Sequence, residues 1–122
     1  MTTPPAGAAG TSLTTLEEFE RSLAEIGAAH AIAEAGSPES DALFGQLQLA
    51  VAAYDRARLQ RLKKHEDKLG PLRDKLKAAN DDIAKNAKDV AKIKQAVVAV
   101  SKALETMGQI LGFVGKLTAL PL

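Results

Sequence analysis

The chain has 122 residues, 46% apolar, 25% charged and only 3% aromatic, with 16 basic against 15 acidic side chains and neither cysteine nor tryptophan. That length suits one domain burying about two thirds of its unfolded surface, and leaves little room for a second. The lack of cysteine excludes disulfides, thiolate catalysis and cysteine-ligated zinc, and a net charge of +1 gives no whole-chain reason to expect nucleic acid or an acidic partner.

Residues 1–13 read as a disordered tail and 14–122 as a single helical domain. The opening MTTPPAGAAGTS has no Lys or Arg and no long apolar run, so the two hallmarks of a secretory signal are missing. No uncharged apolar stretch is long enough for a membrane span, because Glu105 and Lys116 interrupt the best one. Cytoplasmic residence is therefore the expectation.

The fold class is all-α. A first helix is expected over about 15–35, opened by a capping box of Thr15 and Glu18 and striped by Leu16, Phe19, Leu23, Ile26, His30 and Ala33. Gly36 then suits a left-handed stop, and Ser37-Pro38 suits a cap and first turn for the next helix. That helix, over about 38–69, carries Leu43, Phe44, Leu47, Val51 and Tyr54, then Leu59 and Leu62 after a phase shift. Gly70-Pro71 turns the chain, since Pro71 has no N–H for a carbonyl one turn back.

From Leu69 onward the pattern is the most regular in the sequence. Leu72, Leu76, Ala79, Ile83, Asn86, Val90, Ile93, Val97, Val100, Leu104, Met107, Leu111 and Val114 follow at alternating spacings of 3 and 4. One helix over about 71–120 is the simplest reading, continuous through Ala79-Asn80-Asp81-Asp82 although Asn and Asp there suit a fresh cap. Two arrangements satisfy this pattern: a long antiparallel helical hairpin, or a three-helix bundle with coiled-coil heptads. Asn86, between Ile83 and Val90, takes the place of a register-setting polar residue.

The C-terminal segment is apolar nearly all round, so it needs cover on several sides. Val97, Val100, Leu104, Met107, Leu111 and Val114, with Gly108, Gly112 and Gly115 as a strip of exposed backbone, form the candidate self-association or partner interface. Charge is segregated: residues 1–47 sum to −6 and residues 55–77 to +5. Arg56, Arg58, Arg61, Lys63, Lys64 and Lys68 make a candidate basic patch, but without an aromatic between Arg56 and Lys77 it lacks the stacking platforms of nucleic-acid modules.

Signs of catalysis are missing. Gly27 and Leu62 precede His30 and His65 by three residues, so no Glu-x-x-His metal pair exists, and His30 with Glu34 supplies only two ligands. No phosphate-loop, dinucleotide or nucleophile-elbow string occurs. The expectation is a non-enzymatic helical interaction, scaffold or adaptor protein with no catalytic residue, metal or cofactor, and a protein partner that is another copy of itself. A membrane surface met by residues 96–122 is the alternative, and charge-driven nucleic-acid binding through residues 56–77 a weaker one.

Overall fold

The computed structural model describes residues 13–119, and the expected N-terminal tail lies almost wholly outside them. Four α-helices, α1 (Thr15–Ile32), α2 (Pro38–Leu59), α3 (Gly70–Asn86) and α4 (Ile93–Ala119), are joined with two 3-10 segments, Leu62–Lys68 and Val90–Lys92. No strand is present among the described residues.

Local chemistry sets each boundary. The capping box of α1 lies one residue earlier than expected: Thr14 Oγ1 accepts from the Glu17 N–H at 3.2 Å, and the Glu17 carboxylate accepts from the Thr14 N–H at 2.8 Å. Thr15 is instead the first helical residue and is buried. The turn to α2 follows its sequence signals. Gly36 takes φ +80°, Ser37 caps α2 by accepting from the Ser40 N–H, and Pro38 begins the helix.

The helix expected over 38–69 stops at Leu59. Arg61 adopts a left-handed conformation, φ 55° and ψ 58°, which costs a side-chain-bearing residue about 1 kcal/mol and turns the chain into the 3-10 segment. Buried Leu62 anchors that segment. The helix expected over 71–120 is likewise two helices. Asp89 is extended and accepts from the Ala91 N–H at 2.9 Å, a cap that starts a new helical run instead of prolonging the old one. The continuous 3-and-4 pattern therefore folds back on itself between Asn86 and Ile93.

Contacts between named residues fix the packing. Tyr54 reaches Glu20 and Ser40 reaches His30, so α2 runs antiparallel to α1. Lys75 reaches Gln109 across the antiparallel pair α3 and α4. Ser22 and Arg21 meet Asn80 and Asp81, which sets α3 beside α1 and parallel to it. Gln46 meets Val97 and Ser101, which sets α4 beside α2. The 3-10 segment Leu62–Lys68 carries the chain across one end, from α2 to the start of α3 on the far side of α1.

One core joins all four helices, built on Phe19, Ile26, Leu43, Leu76, Ile83, Val100, Met107, Ile110 and Val114, each wholly inaccessible. In α2 the inward positions are Leu43, Leu47, Ala50, Tyr54 and Ala57. Three of these were read from the sequence; Ala50 and Ala57, small enough for close helix packing, were not. Phe44 and Val51, expected on the same stripe, point outward at 54% and 43% exposure.

A polar cluster interrupts the α1–α3 contact. Asn80 donates from Nδ2 to the Glu18 carboxylate and to the Glu18 carbonyl, both at 3.0 Å, while its Oδ1 accepts from Ser22 Oγ at 2.7 Å. Asn80, Glu18 and Ser22 are all buried. At the edge of this cluster Arg21 bridges Asp81 at 2.6 Å and also approaches Glu18 and Glu25. Burial by itself raises the Asp81 carboxyl, but hydrogen bonds from Arg21 and Lys77 more than reverse it, leaving Asp81 below its ordinary range.

Candidate interaction face

The outer side of the α1–α2 hairpin is the most unusual surface of the chain. From Ala42 to Tyr54, and from Ile26 to Ala33, there is no Lys, Arg, Asp or Glu. Because α1 and α2 are antiparallel, these two uncharged runs lie side by side. With Leu43, Ala50 and Ala57 facing the core, Ala42, Phe44, Gln48, Leu49, Val51 and Ala52 are left exposed on α2, and Ala28 and Ala31 on α1. Leu49 is 62% exposed. Single exposed apolar residues are ordinary; here several are grouped over about three turns of α2, with charges only at the ends of the run.

The ends of this face are defined by charge. Glu34 and Asp41 flank it at the α1–α2 turn, and Asp55, Arg56 and Arg58 at the other end. There Tyr54 donates to the Glu20 carboxylate at 2.8 Å, and the Arg58 guanidinium lies 5.8 Å from the centre of the Tyr54 ring. The bond to Glu20, then burial, hold the Tyr54 hydroxyl above its ordinary value, with Arg58 pulling the other way. His30 is half-buried between the helices, 3.4 Å from Ser40 Oγ and with its ring 6.0 Å from that of Phe44, so it serves the hairpin contact.

The interface residues read from the sequence fall elsewhere. Val100, Met107, Leu111 and Val114 are buried in the chain's own core, and Val97, Leu104 and Gly115 are half-buried against it. As α4 folds back on α3 and lies along α2, the apolar seam expected between chains is covered within one chain. Gly108 and Gly112 are exposed, and a Cβ on either would meet nothing within 4 Å. The stretch Val90–Thr118 is, by length and composition alone, long and apolar enough to cross a membrane, as core helices also can be. Of its most apolar window 44% is buried inside the protein.

Asn86 does not sit in a seam. It is the last residue of α3, half-exposed, and its Nδ2 donates to the Asp82 carbonyl of its own helix. The buried asparagine is Asn80, expected inside a continuous helix although also suited to a cap, and not expected in the core. Arg56, Arg58, Arg61, Lys63, Lys64 and Lys68 are all exposed at one end of the molecule, and none forms an ion pair among the described residues. Glu66 holds this segment in place: its carboxylate accepts from the Thr15 N–H at 3.0 and 3.1 Å, at the start of α1, and from Arg73 at 3.1 Å.

No group of three His, Cys, Asp or Glu side chains suited to a metal occurs among the described residues. The groove between α3 and α4 is lined by Lys75, Ala78, Ala79, Asp82, Lys102, Glu105 and Thr106. No family model matches this chain, and neither does any curated protein or solved structure compared with it.

Proposed function

We propose that this chain is a non-enzymatic helical interaction protein that holds a protein partner on the uncharged outer face of its α1–α2 hairpin. The observation that carries the reading is the exposure of Phe44, Leu49 and Val51 on a helix with no charge between Asp41 and Asp55. Protein interfaces place apolar and aromatic side chains at a charge-depleted centre and polar groups at the rim, which is the distribution found here. The regular 3-and-4 apolar seam supports the reading indirectly. With α3 and α4 packed against each other and against the hairpin, it gives α1 and α2 a fixed backing, so the outer face is presented on rigid elements.

A photo-crosslinking residue at position 48, at the centre of the exposed side of α2, tests this in cells producing the full chain. A discrete crosslinked protein species is expected, lost when Leu49 is changed to Asp, with none from position 77 on α3. Equal crosslinking from positions 48 and 77, or none from 44, 48 and 52, overturns the reading.

A further inference from the structure

The exposed face of α2 is acidic at its N-terminal end, at Asp41, and net basic at its C-terminal end, where Arg56 and Arg58 outnumber Asp55. Asp41 and Arg56 are both exposed, neither forms an ion pair among the described residues, and every residue from 42 to 54 is uncharged. At about 1.5 Å per residue they stand about 22 Å apart along one helix. Between them, at about 100° per residue around the helix, Gly45, Gln48, Leu49 and Ala52 lie on the side away from the core-facing Leu43, Ala50 and Ala57; Gln48, Leu49 and Ala52 are exposed and Gly45 is half-buried. Among the described residues a Cβ on Gly45 would meet nothing within 4 Å, so none of them requires glycine at this helix-weakening position.

From this charge pattern we infer that the occupant of the face is a second copy of the chain, with the two α2 helices packed antiparallel about a twofold axis passing between Gln48 and Leu49. The inference rests on the interaction reading above and names its partner. In this register Asp41 of each copy meets Arg56 of the other, Gly45 lies opposite Ala52, and the Leu49 side chains flank the axis. The small residues let the helices approach to the short end of the usual interaxial range, about 8 Å. Parallel pairing in register sets Asp41 against Asp41 and Arg56 against Arg56, so the charges select the antiparallel form. A twofold contact of this kind is closed: it uses the same patch on both copies and stops at two.

Two charge reversals give the test, followed by sedimentation velocity of the full-length chain from micromolar to hundreds of micromolar. The unmodified chain is expected to dimerise, more weakly as salt rises. Asp41→Lys and Arg56→Glu, each alone, turn both cross-contacts into like-charge pairs and are expected to weaken the dimer about tenfold or more. An equimolar mixture of the two variants is expected to recover it. In the mixed dimer the lysine introduced in one copy faces the glutamate introduced in the other, while the remaining native pair, Arg56 and Asp41, meets as before. Both positions are exposed, so the core is untouched; each reversal opposes the dipole at its end of α2 and weakens that helix end slightly, and circular dichroism checks that the fold is kept.

A wild-type chain that stays monomeric, or a mixture no tighter than either variant alone, overturns the self-pairing. The crosslink from position 48 separates this failure from that of the broader reading. A monomer that still crosslinks there to a protein of different mass leaves the interaction face standing with another occupant. A monomer that crosslinks to nothing removes both.

Discussion

Replacing Asn80 with Ala removes the centre of the polar cluster between α1 and α3. Three hydrogen bonds go: one to the Glu18 carboxylate, one to the Glu18 carbonyl and one from Ser22. A bond to a charged group contributes about 1.5–3 kcal/mol and each neutral bond about 0.5–1.5 kcal/mol. The Glu18 side chain, 1% exposed, is then left with only the guanidinium of Arg21 at 3.6 Å. The loss should total about 3–5 kcal/mol, comparable to breaking a buried ion pair and a large part of the stability of a domain this size.

Urea unfolding followed by far-ultraviolet circular dichroism measures this loss, provided the slope is unchanged. Glu18→Gln keeps an acceptor for Asn80 and is expected to cost only about 1 kcal/mol. In the double variant no buried carboxylate is abandoned, so its loss should fall short of the summed single losses by about 1 kcal/mol or more. A loss below about 1 kcal/mol for Asn80→Ala, or strict additivity in the double variant, would refute the reasoning.

Three further outcomes follow from other parts of the fold. Tyr54 is the chain's single tyrosine, so an absorbance titration reports it alone; its midpoint should lie above 10.0 and fall when Glu20 is changed to Gln. Since the folded value is raised, that bond's stabilising effect is complete below the unfolded value and is lost as pH rises through the folded one. Asp81 has the opposite sign: its folded value is lowered, so its contribution is complete above about 4 and disappears on acidification. The stability gap between wild type and Asp81→Asn should therefore close as pH falls through that folded value, and a gap that persists contradicts the Arg21–Asp81–Lys77 assignment. Gly108→Ala and Gly112→Ala, which add a methyl group in open space, should each raise stability by up to about 1 kcal/mol in thermal or urea unfolding.

Much of the helix content was legible because caps and periodicity are local. Ser37-Pro38 and Gly36 behave as their chemistry dictates, and the α1 cap is displaced by one residue because Thr14 and Thr15 are chemically equivalent neighbours. The breaks at Arg61 and Asp89 were not read. A left-handed arginine has no sequence signature, and the heptad phase happens to continue through Asp89, masking a cap that the aspartate itself supplies. Asn86 and Asn80 exchanged roles for the same reason: with the break placed at 87–92, Asn86 becomes a helix end while Asn80 turns toward α1.

The candidate face was hidden by alanine. Leu43 and Phe44 are adjacent, so only one can face inward, and the phase is decided by Ala50 and Ala57, which a search for large apolar residues passes over. The uncharged run from Ala42 to Tyr54 was the available signal. It is too long for one inward stripe of a surface helix and so implies apolar groups on the outside. The charge segregation between the acidic first helix and the basic 55–77 segment was visible, but that the start of α1 lies against that segment, Thr15 at Glu66 and Glu20 at Tyr54 just before it, needed the fold.

The most direct test of the interaction face uses the absence of native cysteine, which makes every introduced thiol a unique probe. Ala52→Cys on the outer face of α2 and Lys77→Cys on α3 are both exposed positions, so a small maleimide should label them at similar rates in dilute purified protein. Inside cells, Ala52→Cys is expected to be protected while Lys77→Cys labels as before. Labelling of Ala52→Cys in cells at the rate seen in dilute solution would contradict the assignment of this face to a protein partner.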